Sequence, residues 1–240
     1  MKTFEYSLLF TILVTLTRTQ TKTTANTDYV YESLRSRILS GYYAVREKLK
    51  EEAIAKEFNT SRSRVRLAFL RLVDDGLLES EPHKGVIIKE ISLREAVEIL
   101  EIRKLLEIHA VKEACRNITS DQLSSLESIL HSMKQAIDSK DYEMYSRLNT
   151  NFHEIIYQSA AQATLTNVLI SLKTRLMRYQ YKLAFIPGRA QRSFQEHREI
   201  FQALADRDEA RAEVCVTKHI DHLREHIVQN RQLLEISGGF

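Results

Sequence analysis

The sequence predicts a mainly α-helical chain, with an N-terminal winged helix-turn-helix followed by an antiparallel bundle of about six helices. Only 6 Gly and 2 Pro occur among 240 residues, which favours long helices over turn-rich β structure. Apolar residues recur at helical spacing along most of the chain, and strand signals are confined to a stretch before residue 90. With 43% hydrophobic residues, the chain can bury a substantial core and is long enough for two domains.

Residues 1–27 are predicted to be an extension, either disordered or preceding the true start of the protein. An apolar run from Tyr6 to Leu16 follows Lys2, as in the core of a signal peptide. No small-x-small cleavage site follows it, and the run is too short to span a bilayer. We therefore expect a cytoplasmic protein with no membrane partner.

Residues 28–90 are predicted to form the winged helix-turn-helix. Ser61 can cap the helix that follows the tight turn, and Gly76 can end it in the left-handed conformation. The predicted elements are helices over Tyr29–Leu39, Glu51–Phe58 and Ser61–Asp74, then strands Leu77–Glu79 and Val86–Ile88.

The third of these helices carries a local concentration of arginine. Arg62, Arg64, Arg66 and Arg71 occur with no acidic residue between Ser61 and Arg71, although the net charge of the chain is only +3. Arg62 and Arg66 are four residues apart and therefore share one side of the helix. Guanidinium groups on such a helix can bind guanine edges or phosphates in the major groove. An arginine-rich helix alone could be an ordinary solvated surface, but its place between a tight turn and a hairpin favours DNA binding.

Residues 92–234 are predicted to be entirely helical. Ser92 and Glu95 form a capping-box pattern at the start. Short links between the helices favour antiparallel neighbours. Cys115 and Cys215 lack metal-ligand spacing and are expected as buried free thiols. The predicted helices are Ser92–Arg116, Ser120–Ser139, Tyr142–Ala160, Thr164–Phe185, Gly188–Ala205 and Glu209–Leu234.

Three histidines are predicted to meet inside this bundle. His153 shares a helix face with Asn149, while His197 and His219 lie roughly 15–18 Å from the turn at Arg207 on consecutive helices. Each of the last two falls within an apolar stripe, where an unpaired polar ring would be costly. Three such rings can bind a Zn²⁺-like or Ni²⁺-like ion, with the Asn149 oxygen as a fourth ligand. The alternative for each histidine is a hydrogen-bonded core residue.

Motifs in the first domain resemble those of GntR-type bacterial transcription regulators. The matching runs are Leu49-x-x-Glu52-x-x-Ala55, Ser61-Arg62-x-x-Val65-Arg66-x-Ala68 and Gly76-Leu77-Leu78. Arg46-Glu47, Arg64 and Leu67 depart from the usual pattern and leave the operator sequence open. The resemblance implies DNA contacts by Arg35, Ser61, Arg62, Ser63, Arg66, His83, Lys84 and Gly85.

The helical remainder resembles the FCD effector domain of the FadR-type branch. The matching runs are Glu101-x-Arg103-x-x-Leu106-Glu107, Leu148-Asn149-x-x-Phe152-His153, Glu196-His197-x-x-Ile200 and His219. The resemblance implies that Asn149, His153, His197 and His219 hold a metal that helps bind a small organic acid. It further implies that Arg103 faces the effector. Arg178 is a second, weaker candidate for binding a carboxylate, and the alternative for both arginines is a surface charge on a long helix. Asparagine in place of the usual aspartate removes a negative charge, which should weaken metal binding and suit an anionic effector.

The function predicted from the sequence is that of a bacterial DNA-binding transcription regulator. A homodimer would bind a pseudo-palindromic operator, and a small carboxylate bound near Zn or Ni would control its affinity. The first alternative is a DNA-binding protein whose helical domain only dimerises, with a structural metal or none. A metal-dependent hydrolase is disfavoured, because Glu154 and Glu196 project about 100° from the adjacent ligands. His222 and His226 are interpreted as solvent-facing or interface residues.

Overall fold

The computed structural model describes residues 26–81 and 85–234. Within these ranges the chain forms nine helices and three short strands, which confirms the mainly helical fold class. In chain order they are α1 (Thr27–Ser40), β1 (Lys48–Leu49), α2 (Glu51–Glu57), α3 (Arg62–Asp74), β2 (Leu78–Glu81), β3 (Gly85–Ile88), α4 (Leu93–Asn117), α5 (Ser120–Asp138), α6 (Tyr142–Ser159), α7 (Ala163–Ala184), α8 (Arg189–Ala205) and α9 (Glu209–Gln229). The predicted extension up to residue 25 lies outside the described residues.

The first three helices and the sheet share one hydrophobic core. Ser61 caps α3 by accepting a hydrogen bond from the Arg64 backbone N–H, as the sequence predicts. Val65, Phe69 and Leu72 of α3 are buried against α1, because their spacing places them on a single helix face. The buried residues of this core include Val30, Leu34, Ile38, Leu49, Ile54, Val65, Ala68, Phe69, Leu72, Leu78 and Ile88.

The wing is a three-stranded antiparallel sheet in the order β1-β3-β2. Leu78 pairs with Ile88 and Glu81 with Gly85, while β1 adds Lys48 opposite Ile87. Strand β1 was not predicted from the sequence, because two residues are too few to show a strand period. The predicted wing residues His83 and Lys84 lie outside the described residues.

The remaining six helices, α4 to α9, form a bundle around a second core. Ser92 caps α4 by accepting from the Glu95 backbone N–H at 3.1 Å. Helix α5 packs against α6 and α8 packs against α9, as short links between consecutive helices predict. Helix α4 packs against α9, a neighbour that the links do not predict. The last helix ends at Gln229, earlier than predicted. Cys115 is buried and Cys215 half-buried, both as free thiols. None of the helices in the described ranges is long and apolar enough to cross a membrane.

Helix α7 joins the bundle to the winged helix-turn-helix. Its Met177 is buried within the hydrophobic core of the N-terminal domain. Its Arg175 forms an ion pair with Glu95 and passes over Gly76, where a Cβ atom would lie 2.8 Å from Arg175 Cγ. Gly76 also has a φ of 72°, so both the close approach and the backbone conformation favour glycine. The two cores are therefore in direct contact through one helix.

Candidate functional site

The first candidate surface surrounds the start of α3. The side chains of Arg62 and Arg66 are 66% and 63% exposed, and both face Glu51 of α2. Arg66 Nε and Nη2 donate to Glu51 at 2.9 and 3.0 Å, while Arg62 Nη2 lies 3.7 Å from the same carboxylate. Exposed ion pairs contribute little to stability, so phosphates or base edges can replace Glu51 at small cost. This carboxylate partner was absent from the sequence analysis.

Other predicted DNA-contacting residues lie around the two arginines. Gly85 opens β3 with a φ of 90°, and it lines a surface depression together with Arg62 and Arg66. Lys48 and Lys50 line the same depression and add positive charge that the sequence analysis did not include. The Ser61 hydroxyl accepts the capping hydrogen bond from the Arg64 backbone N–H. Ser63 is exposed beside Arg62.

Arg35 occupies a different place from the other predicted DNA contacts. Its Nη2 lies 3.3 Å from Met177 Sδ of α7, and the side chain is half-buried. It is not among the residues that line the depression at the start of α3. In this structure Arg35 therefore contacts the helical bundle, because α1 lies between α3 and α7.

The second candidate site is formed by three histidines from three helices. His153 of α6, His197 of α8 and His219 of α9 are 4%, 0% and 4% exposed. Their ring centroids are 4.9 to 5.2 Å apart, and one nitrogen from each lies within 4.8 Å of the others. The structure thus brings together all three histidines that the sequence places at one level of the bundle.

The spacing of these nitrogens fits a metal ion. His153 Nε2 and His197 Nε2 are 3.2 Å apart. Two nitrogens that bind one tetrahedral zinc at about 2.0–2.1 Å are roughly 3.3 Å from each other. Asn149 lies one helical turn before His153 and lines the same pocket as His153 and His219. Three imidazoles and an amide oxygen are a donor set that suits Zn²⁺ or Ni²⁺.

Burial keeps the histidine rings ready to accept a cation. It lowers the pKa of His153 well below its ordinary value, and the nearby charge of Lys173 lowers it further. Burial also lowers the pKa of His197, with a second contribution from His219. Within the described part of the chain, His197 Nδ1 has no hydrogen-bond partner. A neutral ring with its lone pair directed inward is the form that binds a metal.

Glu196 orients His219 from outside the cluster. Its Oε2 accepts from His219 Nδ1 at 2.8 Å, and its Oε1 accepts from His222 Nδ1 at 2.8 Å. Burial alone would raise the pKa of Glu196, but the hydrogen bond from His219 and the nearby positive charges bring it down to about 2. With Nδ1 held by the carboxylate, the Nε2 lone pair of His219 is left for the cluster.

The hydrogen bonds of Glu196 bear on two sequence-based interpretations. Glu196 does project away from His197, as predicted, but it then reaches α9, a partner that sequence spacing does not reveal. His222 is half-buried and bonded to Glu196, so it does not simply face solvent, while its place at an interface stays a prediction.

The pocket beside the histidines has a volume of about 40 Å³. Besides His153 and His219, it is lined by Asn149, Tyr145, Ser193 and Arg189, the first residue of α8. Arg189 was not among the predicted effector-binding residues.

The two arginines predicted to face the effector do not line this pocket. Arg103 is fully buried and donates two hydrogen bonds to Glu107, at 2.9 and 2.7 Å, one helical turn further along α4. Glu107 in turn approaches His153 Nδ1 at 3.9 Å. Arg178 is buried on α7, two residues before pocket-lining Gln180, and two residues correspond to about 200° around a helix.

The chain joins a winged helix-turn-helix with exposed arginines to a helical bundle that contains the histidine cluster and its pocket. This combination is typical of DNA-binding regulators with an effector-binding domain. The model "Bacterial regulatory proteins, gntR family" matches residues 26–88, and the model "FCD domain" matches residues 98–222. The chain therefore belongs to the GntR family of bacterial transcription regulators and carries an FCD domain. Its relatives are transcription regulators and not enzymes.

Individual relatives agree with this membership. The chain is 30% identical over 203 residues to the HTH-type transcriptional repressor RspR of Escherichia coli K12, covering 85% of this chain and 89% of that protein. It is 27% identical over 197 residues to the gluconate operon transcriptional repressor of Bacillus licheniformis, covering 82% of this chain and 78% of that protein. The solved structure of E. coli McbR/YncC superposes with a TM-score of 0.70 at 26% identity, covering 87% of this chain and 96% of that chain.

Replacing Arg66 tests the surface at the start of α3. We expect Arg66→Ala to weaken binding to a selected operator by about 1–3 kcal/mol, because the side chain would contact a base edge. Fluorescence anisotropy with a duplex selected from a random pool measures the change. Arg94→Ala is the matched control, since Arg94 is also an exposed helical arginine paired with a glutamate. Equal losses in the two variants would contradict the assignment.

Proposed function

We propose that the protein is a cytoplasmic bacterial repressor that leaves its operator when a small organic acid binds in the helical bundle. Residues 28–90 would bind DNA, and residues 92–234 would dimerise and sense the acid. The observation that carries the proposal is the convergence of three buried histidines beside a pocket, in a bundle that contacts the DNA-binding domain. Two relatives named as repressors support the direction of regulation.

The chamber would hold a divalent transition metal, Zn or Ni. His153, His197 and His219 would supply the nitrogen ligands, and Asn149 would supply an oxygen. When bound, such an ion offers a Lewis-acidic open position to a carboxylate oxygen. Because an amide replaces a carboxylate at position 149, the chamber would retain more positive charge and attract an anion more strongly.

A homodimer would present two α3 helices to the two halves of a pseudo-palindromic operator. The face proposed for dimerisation lies on α4 and α7, which pack against each other through Leu106 and Leu169. Ile102 and Leu105 of α4 and Val168 of α7 are 50%, 69% and 43% exposed. An apolar face of this kind, next to a packed helix pair, suits burial by a second copy.

Helix α7 would carry the signal from the pocket to the DNA-binding domain. Gln180 and Leu183 line the pocket, while Met177 is buried in the core around α1 and α3. A ligand that displaces α7 would therefore change the position of α3. Such coupling requires that the acid bind one arrangement of α7 and the DNA-binding domain more tightly than the other.

Replacing Met177 tests this coupling. The acid is the one that raises the unfolding temperature of the protein most. We expect it to lower the operator affinity of the wild-type dimer with Zn²⁺ by about 5–150-fold. In Met177→Ala the ratio of operator affinities without and with the acid should fall towards one, because the smaller side chain removes most of the contact between α7 and the DNA-binding core. Anisotropy titrations with and without the acid measure both ratios.

Met144→Ala is the control for the Met177 variant, because Met144 is exposed on α6. It should keep the wild-type ratio. An acid response that persists in Met177→Ala would contradict the role of α7. A wild-type protein that responds to no acid would favour the alternative in which the helical domain only dimerises.

Replacing Leu105 tests the dimer face. We expect Leu105→Arg to yield monomers in sedimentation velocity and to weaken operator binding at least about tenfold, because the two reading helices lose their linkage. Val214→Arg is the control, since Val214 is an equally exposed apolar residue on α9. A dimer that survives Leu105→Arg places the interface elsewhere.

A further inference from the structure

Arg189 is a buried cation whose polar atoms are largely unused. It opens α8 and is only 6% exposed. Among the residues that the structure describes, its Nε and Nη1 atoms have no hydrogen-bond partner. Placing a guanidinium in such surroundings is costly, and burial lowers the pKa of Arg189.

The nearest carboxylate forms an ion pair with Arg189 but accepts no hydrogen bond from it. Glu196 Oε2 lies 3.8 Å from Arg189 Nη1, which is beyond hydrogen-bond distance. The same oxygen accepts from His219 at 2.8 Å, and the other oxygen accepts from His222. Glu196 therefore accepts hydrogen bonds from two imidazoles, and the Nε and Nη1 donors of Arg189 have no acceptor among the described residues.

Arg189 lines the pocket next to the histidines and can receive an anion there. His219 and Arg189 approach the same oxygen of Glu196, so the guanidinium lies close to the cluster while remaining a separate positive group. Ser193 and Tyr145 place hydroxyl-bearing side chains along the same wall. The planar fork of a guanidinium matches the two oxygens of a carboxylate.

We propose that Arg189 is a second anion-binding point of this pocket and selects a short organic acid with two carboxylates. The inference rests on the proposed function, because the first carboxylate is assigned to the histidine cluster. The pocket volume of about 40 Å³ corresponds to roughly three water molecules. This space is smaller than a four-carbon acid, so binding requires the surrounding helices to move apart, and longer acids require a larger displacement.

Calorimetric titration of the full chain loaded with Zn²⁺ tests the selection, with succinate compared against butyrate. These acids have equal chain length and differ by one carboxylate. We expect wild type to bind succinate at least about tenfold more tightly, a ratio that corresponds to about 1.4 kcal/mol. Arg189→Gln should bind the two acids alike, and Arg189→Lys should show an intermediate preference because it keeps the charge without the fork.

Arg198→Gln is the matched control, since Arg198 is an exposed arginine on the same helix. It should retain the wild-type preference. Thermal unfolding in the absence of acid shows whether Arg189→Gln remains folded, because the substitution also removes the ion pair with Glu196, and Arg189→Lys keeps a charge at this position.

The possible failures are distinguishable. Equal affinity of wild type for succinate and butyrate overturns the second anion-binding point and leaves the acid-sensing function standing. An Arg189→Gln variant that keeps the full preference for succinate also overturns the second anion-binding point and leaves the acid-sensing function standing. Binding of neither these acids nor any other organic acid by the wild-type protein overturns both proposals.

Discussion

The burial of three imidazoles against one another is the constraint on which the helical domain depends. His153, His197 and His219 come from three helices and meet where solvent is excluded. Burial disfavours protonation of His153 and His197. Their Nε2 atoms lie 3.2 Å apart, and the tautomer of each neutral ring decides whether one donates to the other or both direct a lone pair inward. Such a cluster gains little from its own contacts but much from a cation at its centre. Glu196 accepts from His219, and Glu107, which is paired with Arg103, lies 3.9 Å from His153, so a carboxylate stands behind each of these two rings.

The position of α7 explains how one chamber can influence a surface in another domain. This helix has one face on the pocket and another in the core of the winged helix-turn-helix, where Met177 is buried. Arg175 adds a second contact by pairing with Glu95 at the start of α4 and passing over Gly76 at the end of α3. Because packed cores resist continuous deformation, a shift of α7 requires a matching shift in the DNA-binding domain.

Sequence periodicity predicts the elements of this protein well, and its long-range polar contacts poorly. Helical spacing located all six bundle helices and put the three histidines at one level. Local capping chemistry placed Ser61 at the start of α3. By contrast, some contacts depend on how the helices face each other. These are the hydrogen bonds from α9 to Glu196, the pairing of Arg103 with Glu107 away from the pocket, and the position of Arg189 at the pocket wall. The contact of Arg35 with Met177 depends on how two domains meet, which no single helix pattern encodes.

Whether the three histidines form a metal-binding chamber is decided by calorimetric titration of the metal-free protein with Zn²⁺ at pH 7. We expect saturable binding of one ion per chain in wild type and its loss in His197→Ala, while His131→Ala, which removes an exposed histidine, binds as wild type does. Wild-type protein that takes up no ion, or a His197→Ala variant that binds one with unchanged affinity, would contradict it.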